Sequence, residues 1–285
     1  MLNFILNILK KNVEILKSFM IKFKLKTPKN IDNSKLIDFF KKIGLKELIS
    51  LSKTKGKGVN EMISKNPYKP ELRDLYNLYN YIILNKRITV LEFGSGWSSM
   101  VILLALNELK TKYSKEVTKL RRNNPFELFI LENEKKYFQI TKKKIKKFIK
   151  KKNIKVKVNF CFSKVNMINY KGNIASEYQN LPLCNPDFVY IDGPDQFNIY
   201  KKINGININH KDMMPMICDP LKFEYFYTPG TIILSDGRAA NIKFLKDNFK
   251  RNWLYKNDVK NDQHIFVLKD PCLGKYNKRQ LDFYK

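Results

Sequence analysis

The sequence is poor in histidine, cysteine and tryptophan. Its 285 residues include two histidines, four cysteines and two tryptophans. The cysteines show neither the paired framework of a disulfide-rich domain nor the spacing of zinc ligands; they are Cys161, Cys184, Cys218 and Cys272. These absences argue against a zinc cluster and a disulfide scaffold, and they favour a reducing, cytoplasmic setting.

The amino terminus lacks a long uninterrupted apolar run. Lysines interrupt the apolar residues of segment 1–26 every few positions, so no spanning helix is predicted there. The segment also lacks the basic start and the small-residue cleavage site of a signal peptide. Its apolar residues recur at helical spacing, which leaves two alternatives. One is an interfacial helix in peripheral contact with an anionic membrane; the other, which we favour, is a helix packed on its own domain.

Acidic residues are scarce beside basic ones. The chain has 26 Asp and Glu against 55 Lys and Arg, a formal net charge of +29. Such an excess is typical of nucleic-acid binding, because Lys and Arg neutralise phosphates. Nearly all of it is lysine, however, in a chain equally heavy in Asn and Ile, which fits an AT-rich genome. We favour codon bias and keep nucleic acid as an open partner.

Apolar residues are abundant, at 44% of the chain, and predict a folded core with a pocket. From Ile88 onward, apolar runs alternate with helical stretches, which predicts a doubly wound α/β sheet with helices on both faces. The last two runs, residues 252–257 and 263–269, are too close together for a helical crossover and predict an antiparallel pair. We divide the chain into a basic helical extension, residues 1–66, and an α/β domain, residues 67–285.

A glycine turn follows the first apolar run, in the stretch TVLEFGSGWSSM (residues 89–100). Ligands of a doubly wound sheet bind beyond the carboxyl ends of the strands, and Gly94 and Gly96 would let a ligand approach the backbone. Glu92 precedes this turn, where a carboxylate disfavours a phosphate and favours an ammonium group. Glu132 ends the second run, where an acid accepts both hydroxyls of a ribose. The predicted ligand therefore carries a ribose and an ammonium group.

The ordered motifs VLEFGSG, FILENE, FVYIDGPD and GTIILSDGR, with the final strand pair, resemble the class I S-adenosylmethionine-dependent methyltransferases. The resemblance covers roughly residues 68–270. It implies a Rossmann-like, mostly parallel, seven-stranded sheet and direct transfer of a methyl group from S-adenosylmethionine to an oxygen of a small molecule or saccharide. Two alternatives stay open: an RNA-directed methyltransferase that uses the basic surface, and a non-catalytic cofactor-binding module.

The resemblance implies a binding site for the methyl donor S-adenosylmethionine, here called the donor site, in the glycine turn and at the neighbouring strand ends. Gly94, Ser95 and Gly96 would line the methionine portion. Glu92 would hold the ammonium through an amide or a water, and Glu132 would bind the ribose hydroxyls.

Three more residues belong to this implied donor site. Ser98 or Ser99 would cap the following helix. Trp97 either packs on the donor or caps the same helix. Ser163 stands where such enzymes place Asp or Asn near the adenine.

Asp192, which ends the strand of FVYIDGPD, would lie close to the reactive methyl. It either satisfies loop amides or acts on an acceptor hydroxyl as an orienting group or general base. Asp195 is a second catalytic candidate. Residues 193–229 are too long for a bare crossover and are predicted to set acceptor specificity. Within them, His210 is either a base near neutral pH or a loop hydrogen-bonding residue.

Asp192 and Asp236 also resemble the metal ligands of magnesium-dependent O-methyltransferases, which makes Mg²⁺ a candidate second cofactor. Gly237 departs from that pattern, since those enzymes carry Asn or Asp there. The role of Arg238 is left open: it pairs with Asp192, binds an anionic acceptor or is an exposed residue at the start of a helix. His264 is predicted to be structural.

Overall fold

The computed structural model describes residues 23–54, 69–209 and 213–285. The candidate interfacial helix therefore lies mostly outside the described residues, and so does His210. In the part of the chain that the structure describes, no helix is both long and apolar enough to cross a membrane.

The main sheet has seven strands in the order β3-β2-β1-β6-β8-β10-β9. These strands are β1 (Thr89–Phe93), β2 (Glu127–Glu132), β3 (Lys157–Phe162), β6 (Phe188–Ile191), β8 (Ile232–Asp236), β9 (Trp253–Asp258) and β10 (Gln263–Leu268). All pairings are parallel except those of β10, which runs antiparallel to both neighbours. The predicted Rossmann-like, mostly parallel sheet with an antiparallel final pair is confirmed. The strand order reverses between β1 and β6, which creates the switch point where such sheets bind ligands.

Helices cover both faces of this sheet, which explains why its central strands are buried along their whole length. The helices are α1 (Asn33–Lys42), α2 (Lys46–Ser52), α3 (Leu72–Leu84), α4 (Trp97–Val117), α5 (Lys135–Lys152), α6 (Asp219–Lys222), α7 (Ala239–Asn248) and α8 (Lys275–Tyr284). Every residue of β1, β2 and β6 is buried. Two hydrophobic clusters result.

Helix α5 shows how the lysine excess is accommodated. Its N-cap, Glu134, accepts a hydrogen bond from the Lys136 backbone N–H (2.9 Å), and the helix ends at Asn153 in the left-handed conformation. The buried face consists of Thr141, Ile145 and Phe148. The lysines occupy the remaining faces, so they stay solvated while the apolar stripe packs on the sheet.

A second, smaller sheet was not predicted from the sequence. It has the order β5-β4-β7, with strands β4 (Val165–Tyr170), β5 (Asn173–Tyr178) and β7 (Ile199–Tyr200). The β4–β5 hairpin turns at Lys171 and Gly172, which both have positive φ (52° and 85°). Asn169 closes the turn by accepting from the Gly172 backbone N–H (2.8 Å). A Lys-Gly pair is a weaker turn signal than Asn-Gly, so the hairpin is inconspicuous in the sequence.

A buried polar network joins both ends of the described chain to the sheet. The Arg87 guanidinium lies 4.8 Å from the Phe23 ring and 3.6 Å from the Tyr284 ring. It donates to the backbone carbonyl of Gly230 (2.7 Å). The Asp187 carboxylate accepts from the Tyr284 hydroxyl (2.8 Å) and from two backbone N–H groups at the start of β1. These bonds hold the end of helix α8 against the amino-terminal ends of β1 and β6.

Helices α1 and α2 belong to the same hydrophobic cluster as the central sheet. Leu36, Phe40, Leu45 and Leu48 are buried in it. The boundary at residue 66 stays a prediction, and so does the choice between a membrane-contacting and a packed helix for segment 1–26, which lies mostly outside the described residues.

Candidate functional site

Loops following β1, β2 and β6 meet at the carboxyl edge of the sheet. The Gly94 backbone N–H donates to the carbonyl of Leu131 (2.8 Å), and the Asp192 N–H donates to the carbonyl of Phe93 (2.9 Å). These bonds fix the glycine turn between the ends of β2 and β6. The sequence-predicted donor residues are therefore brought together at the switch point.

The two glycines of the turn have different surroundings. Gly94 has φ +94°, and a Cβ there would lie 2.8 Å from the backbone nitrogen of Gly193, so two loops meet glycine against glycine. A Cβ on Gly96 would meet nothing within 4 Å. Gly94 is therefore required by packing, whereas Gly96 faces open space that a ligand can occupy.

Glu92 is fully buried behind the turn. Its two carboxylate oxygens accept from the hydroxyls of Ser98 and Ser99, each at 2.6 Å. Burial raises its pKa to about 8, although both hydroxyls favour the ionised form. The N-cap of α4 is Gly96, whose backbone N–H donates to the Ser99 hydroxyl (3.3 Å), so the prediction of Ser98 as the cap is wrong. The Ser98 hydroxyl instead binds Glu92 and connects the first turn of α4 to β1. The predicted water- or amide-mediated contact between Glu92 and an ammonium group stays a prediction.

Glu132 lies at the end of β2, beside the turn. One oxygen accepts from the backbone N–H groups of Asn133 and Glu134 (2.8 Å each), and the other accepts from the Ser95 hydroxyl (2.7 Å). Burial raises the pKa of Glu132 to about 7. The carboxylate is therefore oriented by the backbone, and the Ser95 hydroxyl stands in the position that a ligand hydroxyl could take.

The loop after β6 is tied to the loop after β2. The Asn133 side chain accepts from the Asp195 N–H (2.7 Å) and donates to the carbonyls of Asp195 and Asn198. The Asp195 carboxylate accepts from the Phe197 N–H (3.0 Å) and the Asn198 side chain (2.8 Å). Asp195 thus holds its own loop in shape, and its predicted catalytic role stays a prediction. Sequence reasoning missed Asn133, whose place directly after Glu132 was the available signal.

Aromatic side chains flank the end of β3, where the adenine contact was predicted. Ser163 is buried and accepts from the Asn180 N–H (2.9 Å), which leaves it a local turn role in the observed contacts. Phe162 is 41% exposed, pairs in register with Glu132, and lies 5.6 Å from the Phe138 ring. Phe162 is a flat apolar surface beside the ribose candidate, and its β-strand position hid it from sequence reasoning.

Trp97 begins α4 and packs on the hydrophobic core. The Lys144 ammonium lies 3.9 Å from the centre of its ring. The ring therefore contacts α5, and the predicted contact with a donor stays open.

Asp192 follows β6 directly and is exposed, although many protein atoms surround its carboxyl. Desolvation by these surroundings raises the pKa of its carboxyl, and the Arg238 guanidinium opposes the shift. Arg238 donates to the backbone carbonyls of Asp192 (2.6 Å) and Pro194 (3.1 Å). Of the alternatives for Arg238, the described hydrogen bonds therefore show it bracing the loop after β6, with Asp192 left accessible.

Asp236 is paired with another acid. Its side chain is hydrogen-bonded to that of Asp74 on α3. Burial is the main cause that raises both pKa values, and the charge of Asp74 raises that of Asp236 further. Among the described residues, no group of three or more His, Cys, Asp or Glu side chains is arranged to hold a metal ion. Asp192 and Asp236 thus lack a third ligand, and no step is assigned to Mg²⁺.

His264 is buried in β10, and its Nδ1 lies 2.9 Å from the Tyr255 hydroxyl. Burial lowers its pKa. This environment agrees with the structural role predicted for it.

The chain has no match among protein-family models and none among the curated proteins. It is similar to an O-methyltransferase from Bacillus cereus solved with SAH, at 14% identity over 85% of this chain and 92% of that one, with a TM-score of 0.36. A cofactor-bound protein from MTB gives 9% identity, 85% and 100% coverage and a TM-score of 0.40. The O-methyltransferase TomG from Streptomyces achromogenes, involved in tomaymycin synthesis and solved with SAM, is 12% identical over 84% of this chain and 97% of that one, with a TM-score of 0.39.

Proposed function

We propose that this protein is an S-adenosylmethionine-dependent methyltransferase that methylates an oxygen of a small molecule or saccharide. The observation that carries the proposal is the joint placement of an open glycine backbone, an oriented carboxylate and an exposed carboxylate at one switch point. Gly96, Glu132 and Asp192 supply these three features.

The residues fit the donor by their chemistry. The open side of Gly96 would admit the methionine portion, and Glu132 would accept hydrogen bonds from the ribose diol. Phe162 would contact the adenine plane. When bound, S-adenosylmethionine supplies a sulfonium-activated methyl group. The protein contributes mainly by positioning, because the donor is already reactive.

Asp192 would act on the acceptor. Its carboxylate is solvent-accessible and would accept the hydroxyl proton as the oxygen attacks the methyl carbon. The raised pKa keeps this base closer to neutrality than a free aspartate. Arg238 would hold the loop so that the carboxylate points at the acceptor.

Donor binding tests the central proposal. Glu132→Ala is expected to weaken binding of S-adenosylmethionine about 100-fold, because the variant loses both ribose hydrogen bonds. Calorimetric titration measures the change, with S-adenosylhomocysteine as a second ligand. Glu127→Ala is the matched control at the opposite end of β2, and its affinity should equal wild type. No binding by wild type, or equal affinity in both variants, would refute the proposal.

RNA is the second candidate acceptor, because the solvated faces of α5 carry many lysines, three of them in its last turn. Transfer of a labelled methyl group to a panel of hydroxyl compounds, saccharides and RNA fragments separates the two.

Asp192→Asn is expected to lower kcat about 100-fold for a hydroxyl acceptor while leaving the affinity for S-adenosylmethionine unchanged. Unchanged kcat would remove Asp192 from the mechanism, and a chelator arm in the same assay tests metal dependence.

A further inference from the structure

A cavity of about 420 Å³ lies at the edge of the sheet opposite the donor site. Its walls come from the loop after α4, the segments before β6 and β8, and the start of α8. The lining includes Arg121, Arg122, Thr228, Lys275 and Tyr276, with several amide side chains between them. None of them belongs to the donor site. The volume lies within the range of small-molecule sites.

The charge of the cavity walls is one-sided. Three of the lining residues are cationic and none is acidic. The guanidinium of Arg121 and the ammonium of Lys275 lie 5.3 Å and 5.2 Å from the Tyr276 ring, which gathers both charges on one wall. An anion entering the cavity would therefore meet two cations without competition from a lining carboxylate.

The floor of the cavity is a fixed cation. The Arg122 side chain is only 5% exposed and donates to the backbone carbonyl of Asn185 (2.8 Å). Asp187 is the buried carboxylate nearest to it, at 3.6 Å, and the same carboxylate also faces the buried guanidinium of Arg87. One carboxylate thus opposes two buried guanidinium groups, which leaves positive charge beneath the cavity.

Neutral donors complete the lining. The hydroxyl oxygen of Thr228 is buried and has no hydrogen-bond partner among the described residues. Helix α8 starts at Lys275 with no side-chain cap, so its first backbone N–H groups are available at the same wall. Buried hydroxyls are normally satisfied, so the unpartnered Thr228 hydroxyl in this lining leaves a hydrogen bond for a ligand oxygen to complete.

We infer that this cavity binds a phosphate-bearing small molecule. Arg121 and Lys275 contact the phosphate oxygens, because Arg and Lys are the side chains that bind phosphate best. The amide side chains and the Thr228 hydroxyl bind the polar remainder of the ligand. The site is independent of the donor site, so either can be lost without the other.

Titration with defined phosphates tests the inference. The probes are inorganic phosphate, ribose 5-phosphate and uridine 5′-monophosphate, with ribose as the uncharged comparison, measured by calorimetry on the full chain. The double variant Arg121→Gln/Lys275→Gln is expected to bind its best phosphate at least tenfold more weakly. The matched control Lys256→Gln/Lys260→Gln removes two exposed lysines at the far edge of the sheet and should bind like wild type.

The probes identify the ligand class. Equal affinity for inorganic phosphate and the two esters assigns the site to the phosphate group itself, whereas tighter ester binding assigns it to a sugar phosphate or nucleotide. Saturation with S-adenosylhomocysteine should leave the affinity unchanged. Absence of phosphate binding, equal loss in both double variants, or displacement by S-adenosylhomocysteine would each overturn the inference.

Discussion

Gly94→Ala is expected to lower the free energy of unfolding by about 4 kcal/mol. A non-glycine residue at φ +94° is strained by about 1–3 kcal/mol. The added Cβ would also lie 2.8 Å from the backbone nitrogen of Gly193, and a contact this short with backbone costs about 1–3 kcal/mol more. Urea unfolding followed by circular dichroism measures the loss.

Gly96→Ala is the matched control, because it adds the same methyl group two residues away. Its backbone is extended (φ 173°), and nothing lies within 4 Å of the new Cβ. We expect a free energy of unfolding within about 0.5 kcal/mol of wild type. The affinity for S-adenosylmethionine should fall roughly tenfold, because the methyl group enters the space proposed for the ligand. Equal stability of the two alanine variants would contradict the packing role of Gly94.

Glu92 is expected to make stability depend on pH. Its pKa is about 8 in the folded protein against 4.5 for an ordinary glutamate. Between these values only the unfolded chain releases the proton, so the free energy of unfolding falls as pH rises and levels off above about 8. The expected total fall is on the order of 5 kcal/mol, from about 1.4 kcal/mol per pKa unit.

Glu92→Gln removes this titration without removing the side chain. The stability of the variant relative to wild type should therefore rise between pH 4.5 and 8, as measured by urea unfolding at several pH values. Other buried acids, such as Glu132, titrate equally in both proteins and cancel in the difference. Glu92→Ala separates packing from charge, because it leaves the Ser98 and Ser99 hydroxyls without their acceptor at every pH. A stability difference that does not vary with pH would show that Glu92 is ionised in the fold.

The main sheet could be predicted because its strands are continuous apolar runs separated by helical periods. Gly94, Gly96 and Glu132, which we predict to bind the methyl donor, could be placed for the same reason. Each lies at or just beyond the carboxyl end of a strand whose position is fixed by the sheet. Sequence reasoning also recognised the closing antiparallel pair from the short loop between β9 and β10.

The partners of these residues could not be predicted. The Glu92 carboxylate accepts hydrogen bonds from Ser98 and Ser99 at the start of α4. Asp236 is hydrogen-bonded to Asp74, which lies far away in the sequence. Such pairs depend on the tertiary packing of α3 and α4 against the sheet. The small sheet was missed because burial does not alternate along its strands, so their sequences show no period of two. The packing of α8 was missed because it depends on the buried Tyr284 hydroxyl.

The buried carboxyl groups alter the charge that the protein presents in solution. The formal value of +29 counts every Asp and Glu as ionised. Glu92, Glu132 and Asp219 have pKa values near or above 7, so they retain protons over part of the neutral range. Each retained proton makes the molecule more cationic than its composition states. An approaching anion therefore encounters a stronger attractive field than the sequence count implies, and that field weakens as the solution becomes alkaline.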